Sequence, residues 1–338
     1  MRYIGNKTRL LGFIRRVLRQ RAVAPGRALD PFCGTASVAR ALKRWGFSVV
    51  AADVMRYAYV FGRAYVETAA HPRFAQPVQL GYHRVRSFSA LLRALADLPP
   101  LHGFTYQNFT PASSTAHRRM YFTPENGARI DAIRTWLHDA QRNHLLSDDA
   151  FYLLLAALIE AADRVANTTG VYAAYVKSWQ PNAVRALELR PERIIAGNSC
   201  HAYQQDAVEL VAGFGPFDLL YLDPPYNTRQ YPGYYHVPEL IATGWFEQPP
   251  ALRGKTGLLP DAHLRSVWCS VRKAEAALET LLASAECRDV VMSYNAEGII
   301  PESTIERLLK EFGRRATYQR YRHTYRRYRA DADGENRK

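Results

Sequence analysis

The tetrapeptide Asp223-Pro224-Pro225-Tyr226 puts a carboxylate, a stiff pair of carbonyls and an aromatic ring in consecutive positions. The preceding run, Phe217 to Leu222, is apolar and of strand length, suited to the buried centre of a parallel sheet. The prolines end such a strand abruptly: neither donates to a ladder, and Pro224 keeps Asp223 out of helical geometry. The group is therefore expected at the carboxyl end of a strand, where open α/β sheets bind ligands. Its chemistry suits an exocyclic amine on a nucleobase, a poor nucleophile because its lone pair is delocalised into the ring. The Asp223 side chain and the Pro224 carbonyl can accept the amine's N–H groups. This draws the nitrogen towards tetrahedral geometry and localises the lone pair as positive charge develops. Tyr226 offers a face for a base taken out of its stack. An ordinary proline turn needs neither the acid nor the ring.

Two further groups lie near the start of the chain. Tyr3, Gly5 and Lys7 precede a basic amphipathic helix with Leu10, Leu11, Ile14, Val17 and Leu18 on its apolar face. A ring, a close backbone approach and a cation could clasp a nucleotide; a flexible basic start is the alternative. Next, Ala28 to Thr35 leads into a helix over Ala36–Trp45, then Gly46 and a strand from Ser48 that ends in Asp53. In this strand–Gly turn–helix–strand–acid unit, the turn lets the backbone approach a ligand and the terminal acid can bind ribose hydroxyls. It is not GxGxxG, so no pyrophosphate is required.

These segments resemble the Dam-like adenine-specific (N6) DNA methyltransferases, which use S-adenosylmethionine. Asp223 to Tyr226 looks like the family's DPPY motif; the Asp form matches the adenine branch, whereas cytosine-N4 enzymes more often have Ser there. Asp30-Pro31-Phe32-Cys33-Gly34-Thr35 is similar to the cofactor motif D-P-F-x-G-[ST]-G, with Ala36 in place of its last Gly. Tyr3 and Lys7, with Gly5 between them, match an amino-terminal motif that frames the methionine end of the cofactor. The resemblance implies cofactor contacts from Tyr3, Gly5, Lys7, Asp30, Phe32, Gly34, Thr35 and Asp53. It adds Asp206 at the cofactor adenine, although an acid there also suits a helix start. Asp223, Pro224, Pro225 and Tyr226 become the catalytic group for methylation of a flipped adenine by direct transfer. S-adenosylhomocysteine is the product, no covalent enzyme intermediate forms, and no metal is needed. The implied partners are double-stranded DNA and a restriction endonuclease, in the cytoplasm of a bacterial or phage-infected cell. The same chemistry on RNA or cytosine N4 is an alternative, as is a non-catalytic DNA-binding protein on this fold.

The rest of the chain must position these groups. Its 338 residues, 48% apolar, suffice for an α/β core and a second lobe. A net charge of +14 favours an anionic partner, nucleic acid before a membrane surface. Cys33, Cys200, Cys269 and Cys287 form no CxxC pair, which argues against a zinc site or a disulfide framework. No apolar run reaches membrane-spanning length, and the start lacks a signal-peptide apolar region.

A Rossmann-like α/β methyltransferase core, mostly parallel with helices on both faces, is expected over 1–70 and 191–338. A mainly helical target-recognition insert is expected over 71–190, with helices near 85–97, 126–142 and 148–166. Within it, Arg118 and Arg119 beside His117 read as a phosphate or base contact, or as a solvated charge cluster. A return segment, Asn167 to Trp179, carries Lys177 and several aromatics and is expected at the cleft rim. Core strands are expected at Arg193–Ala196 and Asp289–Ser293, and helices near 55–67, 235–246, 264–284 and 301–312. The tail from Arg314 to Arg329 holds seven arginines, Arg326 and Arg327 among them, and four tyrosines. It reads as a terminal hairpin turning near His323, either touching DNA phosphates or forming a charged edge.

Overall fold

The computed structural model describes residues 1–74, 77–80, 83–112, 117–260 and 262–324. Helix α1 (Leu11–Gln20) precedes strand β1 (Arg27–Asp30), helix α2 (Ser37–Arg44) and strand β2 (Ser48–Asp53). Helix α3 (Arg56–Gly62) follows and continues as a π-helical turn over Arg63–Glu67. A small antiparallel pair, β3 (Val78–Leu80) and β4 (His83–Val85), introduces four helices. These are α4 (Phe88–Ala96), α5 (Phe104–Phe109), α6 (Pro124–Arg142) and α7 (Asp148–Val165). The chain then runs through β5 (His201–Gln204), α8 (Ala207–Gly213), β6 (Phe217–Leu222) and α9 (Tyr231–Thr243). It closes with α10 (Ala274–Ser284), β7 (Cys287–Met292) and α11 (Glu302–Phe312).

Five strands make one parallel sheet in the order β5-β2-β1-β6-β7. Alternation along the strands splits the apolar residues between its two faces. Ala28, Val49, Ala51, Leu219 and Tyr221 join one cluster, with Ile14, Leu42, Phe61 and Val237. Leu29, Val50, Ala52, Leu220 and Leu222 join the other, with Leu210, Leu278, Leu281 and Leu308. This is the expected Rossmann-like layering. The chain winds outward from β1 to β2 and β5, then restarts at β6 on the other side of β1. The crevice of such a sheet opens at that reversal, between the carboxyl ends of β1 and β6.

Several elements depart from the sequence reading. The third core strand is His201–Gln204, not Arg193–Ala196; it lies at the sheet edge with only Ala202 buried, so no apolar run marks it. Helix α10 begins at Ala274 because short 3-10 turns occupy Ala262–Leu264 and Val267–Cys269, the second capped by the Ser266 side chain. Helix α9 starts earlier, at Tyr231, with Pro232 in its first turn and a kink at Tyr235 (φ −127°, ψ 28°). The kink has a cause. Pro238 has no N–H for the Tyr234 carbonyl and crowds it; that carbonyl instead accepts the Tyr172 N–H at 2.8 Å. The tail forms no strand over 314–324, and its remainder lies outside the described residues. Arg320 and Arg322 pair with Glu302, and His323 stacks on Phe13 with ring centres 4.8 Å apart.

Helix α7 packs on α3 and α9 as well as on α6, and its apolar residues belong to the same cluster as one face of the sheet. Among the described residues no helix is long and apolar enough to cross a membrane.

Candidate active site

The carboxyl ends of β1, β2 and β6 border a cleft of about 700 Å³ that is open to solvent. Asp53, Asp206 and Asp223 line it with Tyr3, Phe32 and Tyr226.

The β1–α2 turn builds one wall. It is clipped to the sheet by the Cys33 N–H, which donates to the Ala52 carbonyl at 2.9 Å. Gly34 takes a left-handed conformation (φ 50°), and its N–H donates to Asp53 Oδ2 at 3.0 Å. Asp53 Oδ1 accepts the Met55 N–H, also at 3.0 Å. Backbone donors thus fix both oxygens of Asp53. Burial pushes its pKa up to about 6, and the Met55 and Gly34 N–H groups oppose the rise. Ala36, which replaces a motif glycine, keeps the left-handed backbone (φ 56°) that glycine tolerates more easily. Asp30 lies beneath the turn, 1% exposed, with Oδ1 unpartnered among the described residues. Burial first, and the nearby Asp223 second, push its pKa up to about 8.

The opposite wall is a strap formed by the first residues of the chain. Tyr3 stacks on Tyr235 with ring centres 4.7 Å apart, and the Ile4 N–H donates to the Tyr235 hydroxyl at 2.7 Å. The α9 kink therefore sets the strap's position. Arg2 ties it to the end of α7 through the carbonyls of Asp163, Ala166 and Thr168. The Tyr3 ring lies so close to Gly34 that a Cβ there would meet it at 2.9 Å. Gly5 (φ 85°) sits beside Tyr226, and the Asn6 amide reaches Thr35 Oγ1 at 3.4 Å.

Lys7 reaches across the strap to Asp223. Its Nζ lies 2.8 Å from Asp223 Oδ1, 3.0 Å from the Gly5 carbonyl and 5.9 Å from the Tyr226 ring centre. Burial raises the Asp223 pKa above the usual carboxylate range, and the Lys7 charge and hydrogen bond pull it back. Asp206 caps α8, accepting the Val208 N–H at 2.8 Å, and also lines the cleft. Both readings of that acid are thus compatible with its position.

The structure brings Tyr3, Gly5, Phe32, Asp53, Asp206, Asp223, Pro225 and Tyr226 into one lining, with Asp30, Gly34, Thr35, Pro224 and Lys7 around it. It leaves the arginine and lysine candidates elsewhere. Arg118 and Lys177 are exposed, while Arg119 is 4% exposed and turned inward. Arg326 and Arg327 lie outside the described residues. The return segment 167–179 contributes nothing to the lining. Asn167 knits it to the insert by donating to the Met120 and Val176 carbonyls. Sequence reasoning missed Trp268, which lines the cleft and meets Phe32 edge to face at 4.9 Å. Its signal was a tryptophan two residues after a Ser able to cap a turn.

A sequence model of the D12 class N6 adenine-specific DNA methyltransferases matches residues 3–306. The chain belongs to this family. It is 34% identical to the type II methyltransferase M.NlaIII of Neisseria lactamica, over 98% of this chain and 93% of that protein. It is also 34% identical to the type II methyltransferase M.FokI of Planomicrobium okeanokoites, over 98% of this chain but 50% of that longer protein. The type II methyltransferase M.CviAII of Paramecium bursaria Chlorella virus 1 is 27% identical, over 92% of this chain and 88% of that one. No solved structure matches significantly. This D12 class enzyme is an adenine-specific DNA methyltransferase, and the family implies S-adenosylmethionine as its methyl donor. Asp223, not Ser, at the head of its DPPY turn agrees with the adenine assignment.

Proposed function

We propose that the cleft holds S-adenosylmethionine on its Asp53 side and a flipped adenine between Asp223 and Tyr226. The residues fit the cofactor. Asp53 is rigid yet partly open to the cleft, as an acceptor for ribose hydroxyls must be. Phe32 offers a ring face, Asp206 keeps an oxygen free of its cap for an adenine amino group, and Gly34 leaves the turn without a Cβ. Bound there, the cofactor supplies an electrophilic methyl group.

The chain's own work is to prepare the amine. Asp223 Oδ2 and the Pro224 carbonyl accept its N–H groups, while Oδ1 stays with Lys7. The two acceptors localise the lone pair, and the low-polarity site strengthens their effect on the developing charge. Lys7 keeps Asp223 ionised against the desolvation that would protonate it. Tyr226 takes the face of the extruded base.

The observation that carries this reading is the pairing of two half-buried carboxylates on one cleft, one fixed by backbone and one by a lysine. The insert over 71–190 serves as the target-recognition lobe, with Arg118 and Lys177 among its exposed cations. By likeness to relatives named type II methyltransferases and modification methylases, the enzyme marks DNA against a companion endonuclease. The test is sequencing of DNA from expressing cells for N6-methyladenine, paired with single-turnover methylation in vitro. Methylation of cytosine N4, or of RNA alone, would overturn it.

A further inference from the structure

The segment between α9 and α10 contains a basic tip, Arg253-Gly254-Lys255, on a hairpin closed by reciprocal Arg253 and Leu258 backbone hydrogen bonds of 2.8 and 2.9 Å. The three tip residues are exposed. Among the described residues no carboxylate pairs with Arg253 or Lys255.

A surface loop of this kind usually needs nothing beneath it, yet this one is fastened by a buried arginine. Arg119, 4% exposed, donates from Nε to the Lys255 carbonyl and from Nη2 to the Gly254 carbonyl, both at 3.0 Å. Its Nη1 donates to the Asn108 carbonyl, also at 3.0 Å, which anchors the clamp in the insert. From below, His236 Nε2 meets the Thr256 carbonyl at 3.0 Å. Gly257 (φ 73°) lies against the clamp, where a Cβ would sit 3.0 Å from Arg119 Nε and 3.1 Å from the Phe109 ring. Removing a guanidinium from water is costly unless its donors are satisfied. Here they are satisfied by the carbonyls of the tip itself, so the buried charge serves to hold the tip.

The tip is also tied to the catalytic cleft. His236 lies one helical turn beyond Pro232, a lining residue, and the chain leaving the hairpin reaches the lining residues Leu264 and Ser266. Gln230 pins that return, accepting the Ser266 N–H at 2.8 Å and donating to the Ser266 carbonyl at 3.1 Å.

We infer that the Arg253–Leu258 hairpin is a phosphate-gripping clamp for the DNA backbone beside the cleft, and that Arg119 is its positioning residue. The occupant follows from the chemistry. Cations flanking an exposed glycine suit a polyanion that the backbone approaches closely. The inference rests on duplex DNA being the substrate.

The test compares wild type with the Arg253→Ala/Lys255→Ala double variant, whose changes are solvent-facing. Duplexes containing the mapped methylation site and scrambled duplexes are titrated over a salt series. The double variant should weaken both alike, with the loss falling on KM for DNA. The slope of log affinity against log salt should fall by about 0.9 for each cation that meets a phosphate. Affinity for S-adenosylhomocysteine should hold. Arg119→Lys, checked for folding by circular dichroism, should weaken DNA binding in the same direction but add little in the double-variant background. An unchanged affinity and slope would overturn the clamp. So would loss on the matched duplex alone, which would make the tip a base reader. If wild type itself neither binds nor methylates duplex DNA, the substrate assignment fails instead.

Discussion

Two carboxylates at the ends of β2 and β6, the strands on either side of β1, share the cleft, and they are held in opposite ways. Asp53 is gripped by the N–H groups of Gly34 and Met55, donors that belong to the fold and cannot leave. Asp223 is gripped by Lys7, the tip of a side chain on a strap that is itself positioned by Tyr235 and Arg2. Burial raises the pKa of both. A fixed acid suits a ligand that arrives in one pose. An acid whose counter-charge rides on a separate segment suits a group whose charge changes during reaction, because its electrostatics can adjust.

The sharpest way to break this comparison is at Asp223. Asp223→Ala should slow single-turnover methylation by at least about 10²–10³-fold, the scale for losing a transition-state hydrogen-bond partner. Calorimetric affinity for S-adenosylhomocysteine should stay intact. A near wild-type rate would remove Asp223 from the chemistry.

At Asp53 the loss should fall on the cofactor. Asp53→Ala should weaken cofactor binding by about 1.5–3 kcal/mol, the range for a hydrogen bond to a charged group. DNA binding without cofactor should barely change, and an unchanged titration would count against the assignment.

Lys7 separates electrostatic support from ligand contact. Without its charge the Asp223 pKa rises further, so the acid limb of the rate–pH profile should move to higher pH in Lys7→Met. Activity lost near neutrality should return in more alkaline buffer, and Lys7→Arg should keep the limb close to wild type. A rate loss independent of pH would instead point to a cofactor contact.

The gentlest test is pH alone. Asp53 ionises at about pH 6 in the free protein, and only its ionised form offers both oxygens to hydroxyl donors. Cofactor affinity should therefore fall as the pH drops below that value, approaching about tenfold per pH unit for a single proton, while Asp30 and Glu239, raised to about 8 and about 7, titrate above it. Tyr3 and Tyr57 lie near Asp53, but burial raises both phenols well above their usual range, so neither titrates in this window. Affinity independent of pH through this range would mean that Asp53 stands apart from the ligand.

Much of this arrangement was legible because buried parallel strands write themselves as unbroken apolar runs. Phe217–Leu222 and Ser48–Asp53 fell where their sequences put them, and the acids after them followed. His201–Gln204 was not legible, since an edge strand with one buried residue has no such run. Lys7 was legible as a cation set beside a ring and a glycine, but its partner lies 216 residues away and only folding brings them together. Arg119 read as a phosphate or base contact or a solvated charge because composition cannot show carbonyls of α5 and of the 254–255 turn converging on one guanidinium. The α9 kink shows the same limit. Pro238 announces a disturbance, but the compensating Tyr172 N–H comes from a segment with no local link to it.

The placement of α7 bears on how such enzymes can be re-engineered. Its apolar side chains lie in the cluster that also covers one face of the sheet, and its Glu160 accepts a hydrogen bond from Tyr65 at 2.8 Å. The inserted helical segment is therefore not a cartridge. A chimera that exchanges 71–190 as a block would replace the helix covering α3 and α9 and the acceptor of the Tyr65 hydroxyl, so both contacts would have to be matched by the incoming sequence. Breakpoints that keep Asp148–Val165 with the core, and transplant only the segments before it, would leave the sheet's covering intact while changing the rest of the insert.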